Sequence, residues 1–520
     1  MARPRGRVWL GLDVGTGGTR AVLVDERGRV RAAATAPHAA ISMPQPLWAE
    51  QDPEDWWRAA RRAIRATLRQ AAVAPSAIAA VGLTGQMHGV VLLDAAGAVL
   101  APAIIWCDGR AQAECDAWTA RIGAERIIKL TGNPMLAGFS APKLAWTRRH
   151  RPTVWRAARH FLLPKDFVRH RLTGELATDV ADASGTGLFS VRHRRWSPEM
   201  LAAMEISPAL LPAVFESPEI CARVSTAGAR ATGLAAGVPV VAGAGDQAAG
   251  AVGNGVVSEG LASVTVGTSG VVFAATGAMR LDTKGRVHAF CHAVPGQWHV
   301  MAVTQAAGLS LRWLRDTLGA RAGAGDPYDR LCQEAARAVP GCNGLLFLPY
   351  LMGERTPHLD PLARGAWIGL TAAHRRPELI RAVLEGVAFS LRDGLEIIQA
   401  MGLRPQRLAL SGGGARGRVW PRIQAEILGL PCLRWRREEG AAHGAALIAI
   451  AAQLPGQAPP APIQEIAARG LAPAAQWRPE AEHRHLYNAA YATYRECYPR
   501  LKDLFPRLTA AAAGRAAAGP

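Results

Sequence analysis

The stretch Val240–Gly253, VVAGAGDQAAGAVG, holds one acid, Asp246, among residues that are small, apolar or amide. A carboxylate at the end of an apolar run, with glycines clearing space around it, suits proton abstraction from an alcohol. An Asp that caps a helix begun by AAGAVGNG is the plainer alternative. A second acid, Asp13, ends the apolar run VWLGLDV and is followed by Gly15, Thr16, Gly17, Gly18 and Thr19. Two further glycine turns follow apolar runs, Gly267-Thr268-Ser269 in VTVGTSGVVF and Gly412-Gly413-Gly414-Ala415 in LSGGGARG. Backbone N–H groups in such turns can converge on an anion, although tight strand geometry alone accounts for any single one. Two strand-end carboxylates beside phosphate-type turns can hold Mg²⁺ near a nucleotide and leave one acid as a base.

Competing phosphate motifs are missing. The chain has no GxxxxGK[ST] run and neither the HRD nor the DFG string of protein kinases. The first glycine turn continues into an apolar strand where a dinucleotide fold requires a helix.

The elements that must position these residues are legible in outline. VWLGLDVGTGGTRAVLVDERGRVRAAATA predicts an antiparallel meander with tight turns. DPEDWWRAARRAIRATLRQAA predicts a helix with an Asp cap and Pro in its first turn, and IAAVGLTGQMHGVVLLDAAGAVL returns to strand, turn and strand. GLASVTVGTSGVVFAAT repeats the first strand–turn–strand design about 250 residues later, which predicts two related lobes. RLALSGGGARGRVWPRIQAEILGLP reads as strand, turn and helix, QLPGQAPPAP as a loop, and AAAAGRAAAGP as a frayed end.

At 520 residues the chain exceeds one ordinary core, and 49% hydrophobic with 19% charged residues is ordinary for a globular protein. No segment has the length and apolarity of a membrane span, and the start lacks a secretory pattern. Eight cysteines without a CxxC pair predict free thiols in a reducing cytoplasm and no thiolate metal site. The net charge of +19 is carried by dispersed arginines, with lysines only at Lys129, Lys143, Lys165, Lys284 and Lys502. No nucleic-acid recognition motif accompanies it, so the charge reads as solvated surface.

The ordered set LGLDVGTGGTRAVLVD, LWAEQDPEDWW, GLTGQMHGVVLLD, AIIWCDGRAQAEC, LLPKDFVRHRLTGELATDVADASGTGLF, GAGDQAAGAVGNG, VTVGTSGVVF, FLPYLMGERTPHLDP and LSGGGARGRVWPRIQAEILGLP resembles the FGGY carbohydrate kinases. The likeness runs from about residue 8 to 450 and is nearest to the pentulose-phosphorylating members. It implies an α/β fold of two RNase H-like lobes, of the actin, Hsp70 and hexokinase type, around a nucleotide cleft. Residues 1–250 would form the sugar-binding lobe, 251–500 the second lobe, and 501–520 a disordered Ala-rich tail.

By the same resemblance Asp246 is the general base, and Asp13 with Asp246 holds Mg²⁺. Thr16 and Gly17, then Gly267, Thr268 and Ser269, contact ATP phosphates, while Gly412, Gly413, Gly414 and Ala415 line the adenosine pocket. Met87, His88, Trp106, Asp108 and Gln247 contact the sugar, and His443 packs near the nucleotide side. The implied reaction is transfer from ATP to D-xylulose, giving the 5-phosphate. Another ketose or polyol, or a non-catalytic regulator on the same fold, stays open. The implied partners are a small sugar and ATP, with no nucleic acid and no membrane, and a homodimer is compatible with the sequence. The chain departs from the family pattern at Gln247 and Cys107, where Asn is usual, and at Gly417, where Ser is common.

Overall fold

The computed structural model describes residues 6–319, 325–436, 440–453, 462–469 and 471–517. The predicted meander is β1 (Val8–Val14), β2 (Gly18–Asp25) and β3 (Val30–Pro37), each antiparallel to the next. β1 is buried almost throughout because it is a central strand with neighbours on both edges, so an unbroken apolar run suits it. Helix α1 (Pro53–Ala71) starts where expected. The Asp52 carboxylate accepts from the Glu54 N–H, and Pro53 fills the first turn, where no donor is needed. β4 (Ile78–Gly85) then pairs parallel to β1. Helix α2 (Pro164–Thr173), β5 (Ile220–Arg223), β6 (Pro239–Val241) and β7 (Ala244–Gly245) follow, and α3 (Asp246–Gly253) begins directly at the lone acid.

The second half contains β8 (Leu261–Val266), β9 (Gly270–Thr276), β10 (His288–Cys291), β11 (Trp298–Thr304), α4 (Gly308–Leu318) and α5 (Arg376–Ala400). After these come β12 (Arg407–Ser411), α6 (Val419–Leu428), β13 (Cys432–Trp435), α7 (Gly440–Gln453), β14 (Pro473–Trp477), α8 (Ala481–Leu501) and α9 (Leu504–Ala517).

The two large sheets repeat one topology. The first runs β3-β2-β1-β4-β6-β5 and the second β11-β9-β8-β12-β13-β14, with β10 added outside β11. In each, an antiparallel triplet leads into two parallel strands and closes on an antiparallel edge strand. The predicted duplication therefore extends beyond the glycine turns to whole sheets, in a two-lobed α/β fold.

Helix α7 is the exception to a clean division of the chain. It belongs to the expected second unit, yet it packs on β1, β4 and α3 of the first. Its sequence, GAAHGAALIAIAAQ, is apolar nearly all round, as suits a helix buried on every side. Backbones meet closely here: a Cβ on Gly11 would lie 1.9 Å from the Ala442 carbonyl oxygen, and one on Gly82 2.0 Å from that of Ala445. His443 Nε2 lies 2.9 Å from the Gly28 carbonyl oxygen, so it joins α7 to the β2–β3 turn.

Within the Ala-rich segment expected to be disordered, Leu504–Ala517 forms helix α9, because alanine is the best helix former whatever its poverty as a core residue, and residues 518–520 lie outside the described residues. Most of the QLPGQAPPAP loop lies outside the described residues. No helix among the described residues is long and apolar enough to cross a membrane.

Candidate active site

Parallel pairing puts the C-terminal ends of β1, β4 and β7 on one side of the first sheet. Asp13 lies near the end of β1, opposite Thr84 of β4, and Asp246 follows β7 as the first residue of α3. Its helix-opening position matches the plainer reading, but Gly245 is the cap residue and the Asp246 carboxyl faces a cavity. That cavity, of about 420 Å³, also receives Asp13, Gln247, Gly412 and Gly413. Burial raises the Asp246 carboxyl to about 6, against the pull of hydrogen bonds from Gln247. Burial, then the nearby Asp246 charge, raises Asp13 to about 7. Asp13 Oδ1 is buried and accepts no hydrogen bond among the described residues.

The second and third glycine turns lie together. A Cβ on Gly412, whose φ is +77°, would sit 2.6 Å from the Val266 carbonyl oxygen, and one on Gly414 2.5 Å from the Val266 side chain. Glycine at both positions lets the β12 turn lie against the end of β8. The Gly267 and Thr268 carbonyls accept from the Gly308 and Leu309 N–H groups, which ties the β8–β9 turn to the start of α4. A second cavity, of about 290 Å³, opens between these turns, α4 and α6, with Tyr328, Asp326 and Asp329 on its far wall. Both cavities are lined by Gly413 and Arg416, so they adjoin. Ala415 is buried, and its carbonyl accepts from Arg434 Nη1 at 3.1 Å. Neither it nor Ser269 lines either cavity.

Of the expected sugar residues, Gln247 lines the Asp246 cavity, whereas Met87, His88, Trp106 and Asp108 are not in its lining. Met87 is buried against Gly245, where an added Cβ would lie 2.8 Å from the Met87 sulfur. His88 has φ +69°, pairs through Nδ1 with the Gly185 carbonyl at 2.6 Å and stacks on Phe139 with centroids 4.7 Å apart. Burial drives its imidazole down to about 3, so it is neutral. Trp106 is 42% exposed and donates its indole N–H to Thr16 Oγ1 at 3.0 Å. Asp108 is different. It is buried, its Oδ1 accepts from Arg110 N and its Oδ2 from Ala49 N and Arg110 Nη2, and Arg110 also reaches Glu50. Both Asp108 oxygens thus hold the protein's own loop.

Comparison with known proteins gives the family of the chain. The N-terminal domain model of the FGGY family of carbohydrate kinases matches residues 8–253, and the C-terminal domain model matches 262–453. The chain belongs to the FGGY family of carbohydrate kinases. It is 41% identical to the xylulose kinase of Escherichia coli (strain K12) over 503 residues, covering 96% of this chain and 100% of that one. A crystal structure of a xyloylose kinase from Brucella ovis matches with a TM-score of 0.87 at 38% identity, over 96% of this chain and 100% of that one. The gluconate kinase of Lactobacillus acidophilus matches with a TM-score of 0.89 at 25% identity, over 97% and 100%. This FGGY kinase is therefore a phosphotransferase that acts on a sugar hydroxyl.

The kinase also holds groups that sequence reasoning passed over. Lys165, Asp166, Arg169, Asp179 and Asp182 are all fully buried. Lys165 Nζ lies 2.6 Å from Asp166 and Asp179 and 3.1 Å from Asp182, and Arg169 Nη1 lies 2.8 Å from Asp166. Burial works against the Lys165 charge, but the three carboxylates prevail and hold it protonated. Burial pushes Asp182 well up, toward its neutral form. The cluster backs the site: Arg169 Nη2 bonds the Ala242 carbonyl just before β7, and the helical turn Val180–Ala183 packs on β7. One signal was available. In a chain whose usual cation is arginine, Lys165 is one of the few lysines and stands next to an acid, Asp166.

Proposed function

We propose that this kinase transfers the γ-phosphoryl group of ATP to a terminal hydroxyl of D-xylulose, giving ADP and D-xylulose 5-phosphate. The observation that carries the reading is the convergence of Asp13 and Asp246 on one cavity that adjoins the two glycine turns. The sugar follows the relatives named xylulose kinase, of which the Escherichia coli protein is 41% identical over nearly the whole chain.

Asp246 takes the proton of the attacking hydroxyl as its oxygen bonds to phosphorus and the bond to the ADP oxygen breaks. A carboxylate raised to about 6 remains ionised at neutral pH and is a better proton acceptor than an ordinary Asp. Gln247 donates to that carboxylate and fixes its direction, while its amide also lines the cavity. Met87 and the neutral His88 form the apolar and polar walls for the sugar, with Trp106 beside them. Asp108 supports that wall from behind, through Arg110, rather than touching the sugar. Gly267, Thr268 and Gly412–Gly414 admit the phosphates and ribose, and Tyr328 offers a flat face for the base.

The residues fit a divalent cation: Asp13 has a buried oxygen with no partner among the described residues, and Asp246, Ser263, Thr265 and Ser411 add oxygens to the same cavity, as Mg²⁺ prefers. Mg²⁺ held by Asp13, with Asp246 nearby, would neutralise phosphate charge during transfer. Two lobes meet at this cleft, divided near residue 250, with α7 lent by the second lobe to the first. Eight free cysteines suit a reducing cytoplasm, where we place the kinase.

A panel of D-xylulose, other ketoses, glycerol and gluconate, coupled to ADP release, tests the substrate. Turnover with D-xylulose at the highest kcat/KM is the expected result. Turnover with another polyol and none with D-xylulose above a blank without sugar refutes it. Asp246→Ala should abolish transfer and retain nucleotide binding; an active variant removes Asp246 as the base.

A further inference from the structure

Three side chains from separate segments close a ring of hydrogen bonds beside the first glycine turn. Thr16 Oγ1 lies 3.3 Å from Gln86 Oε1, Gln86 Nε2 lies 2.9 Å from Gln51 Oε1, and Gln51 Nε2 lies 2.8 Å from the Thr16 carbonyl oxygen. Gln51 and Gln86 are buried. An indole N–H enters at each end, from Trp56 to Gln51 Oε1 at 3.2 Å and from Trp106 to Thr16 Oγ1 at 3.0 Å.

These two indoles fix the direction of every bond, because an indole N–H only donates. The Trp56 contact makes the receiving Gln51 atom an oxygen, so the Gln51 amide nitrogen faces Thr16. Gln86 must then present its nitrogen to Gln51 and its oxygen to Thr16. The Thr16 proton consequently goes to Gln86, and one of its oxygen lone pairs takes the Trp106 N–H. A hydroxyl held this way has no proton left for a phosphate oxygen, so phosphate contact at this turn falls to backbone N–H groups.

We infer that Gln51 and Gln86 are positioning residues for the transfer reaction: they orient the Thr16 hydroxyl as an acceptor and thereby pin the half-exposed Trp106 indole at the sugar side of the site. The inference rests on the proposed function for the placement of Trp106 beside the sugar. An indole on the surface samples several rotamers unless something holds it. The ring supplies that hold from buried amides, and it joins the sugar wall to the turn that follows Asp13.

The Trp106 indole N–H signal in a ¹H–¹⁵N correlation spectrum, assigned through Trp106→Phe, reports the contact directly. In Thr16→Val and Gln86→Leu the signal should move upfield, as a lost hydrogen bond requires. Thr16→Ser, which keeps the hydroxyl, should restore it. The same variants should raise the sugar KM roughly tenfold while the ATP KM stays within about twofold, with Thr16→Ser again near the parent. Thr16→Val is nearly isosteric and carries the test if Gln86→Leu does not fold. A signal that stays in place in Thr16→Val overturns the inference whatever the kinetics. A signal that moves while the sugar KM does not overturns the role in the reaction. If D-xylulose gives no turnover, the proposed substrate fails, and the spectrum still decides whether the ring holds Trp106.

Discussion

Asp246 lifts Asp13: the two carboxyls line one cavity, and the charge on the first is the second cause, after burial, that brings Asp13 to about 7. A carboxyl whose pKa is raised in the folded state favours folding when protonated. That advantage is complete below the unfolded value of 3.8 and is lost as pH rises through about 7. Asp13→Asn should therefore raise the melting temperature of the free kinase at pH 8 by at least about 2 °C. The gain should shrink steadily toward pH 5. Thermal melts across that range decide it, and a gain independent of pH would show that Asp13 is not strained by its charge.

Catalysis should depend on pH through Asp246. Its carboxyl, raised by burial to about 6, must be ionised to accept a proton. At saturating Mg²⁺, kcat/KM should fall about tenfold per unit as pH drops below about 6 and level off above 7. A profile flat from pH 5 to 7 would refute the assignment.

Gly245 connects the base to the sugar wall. A Cβ there would lie 2.8 Å from the sulfur, 2.9 Å from Cγ and 3.0 Å from Cε of Met87, all flexible side-chain atoms. Gly245→Ala should fold but push Met87 aside, raising the sugar KM by about tenfold or more with the ATP KM nearly unchanged. Steady-state kinetics with each substrate varied in turn give the answer. Equal changes in both KM values would mean a general disturbance of the cleft.

Close backbone contact predicts the opposite for Gly11. Its added Cβ would meet the Ala442 carbonyl at 1.9 Å, and a backbone atom cannot swing away. Gly11→Ala should cost about 3 kcal/mol or more, or leave the chain insoluble. Gly250→Ala, with nothing within 4 Å of the new methyl, should match or exceed the parent in stability. Urea titrations of the two variants test the pair, and similar midpoints would contradict the packing of α7.

Removing the buried lysine takes the cation from Asp179 and Asp182 and leaves Asp166 with Arg169 alone. Lys165→Met should lose about 3–5 kcal/mol, because Asp179 and Asp182 are fully buried and lose their cation. Replacing Asp182 by Asn in the same background should recover part of that loss. Denaturant midpoints measure both steps, and an unaffected single variant would show the cluster to be dispensable.

Local chemistry was legible in the sequence wherever a short run set its own geometry. The meander around Asp13, the capped helix at Asp52 and the strand–turn–helix at Gly412–Gly414 all follow from apolar runs, caps and glycines adjacent in the chain. Partnerships between distant residues were not legible. Asp108 has the right type and place for a sugar ligand, and only the fold reveals Arg110 and Ala49 on its oxygens. Thr16 resembles a phosphate residue until Gln86 and Trp106 claim its hydroxyl. Helix α7 has no apolar stripe to betray which surface it covers, since nearly all its faces are buried. The alanines from 510 to 517 gave opposite signals, low complexity and high helix propensity, and helix prevailed there.

Helix α7 also imposes an order on the birth of the molecule. The strands it covers, Val8–Val14 and Ile78–Gly85, leave the ribosome long before Gly440–Gln453 is synthesised. Until then the nascent chain exposes much of the apolar sheet face that α7 covers. Closure of the N-terminal half is therefore a late, long-range event, of the kind that folds slowly and recruits chaperones. Chains that stop short of this helix are left with a sticky, unfinished lobe.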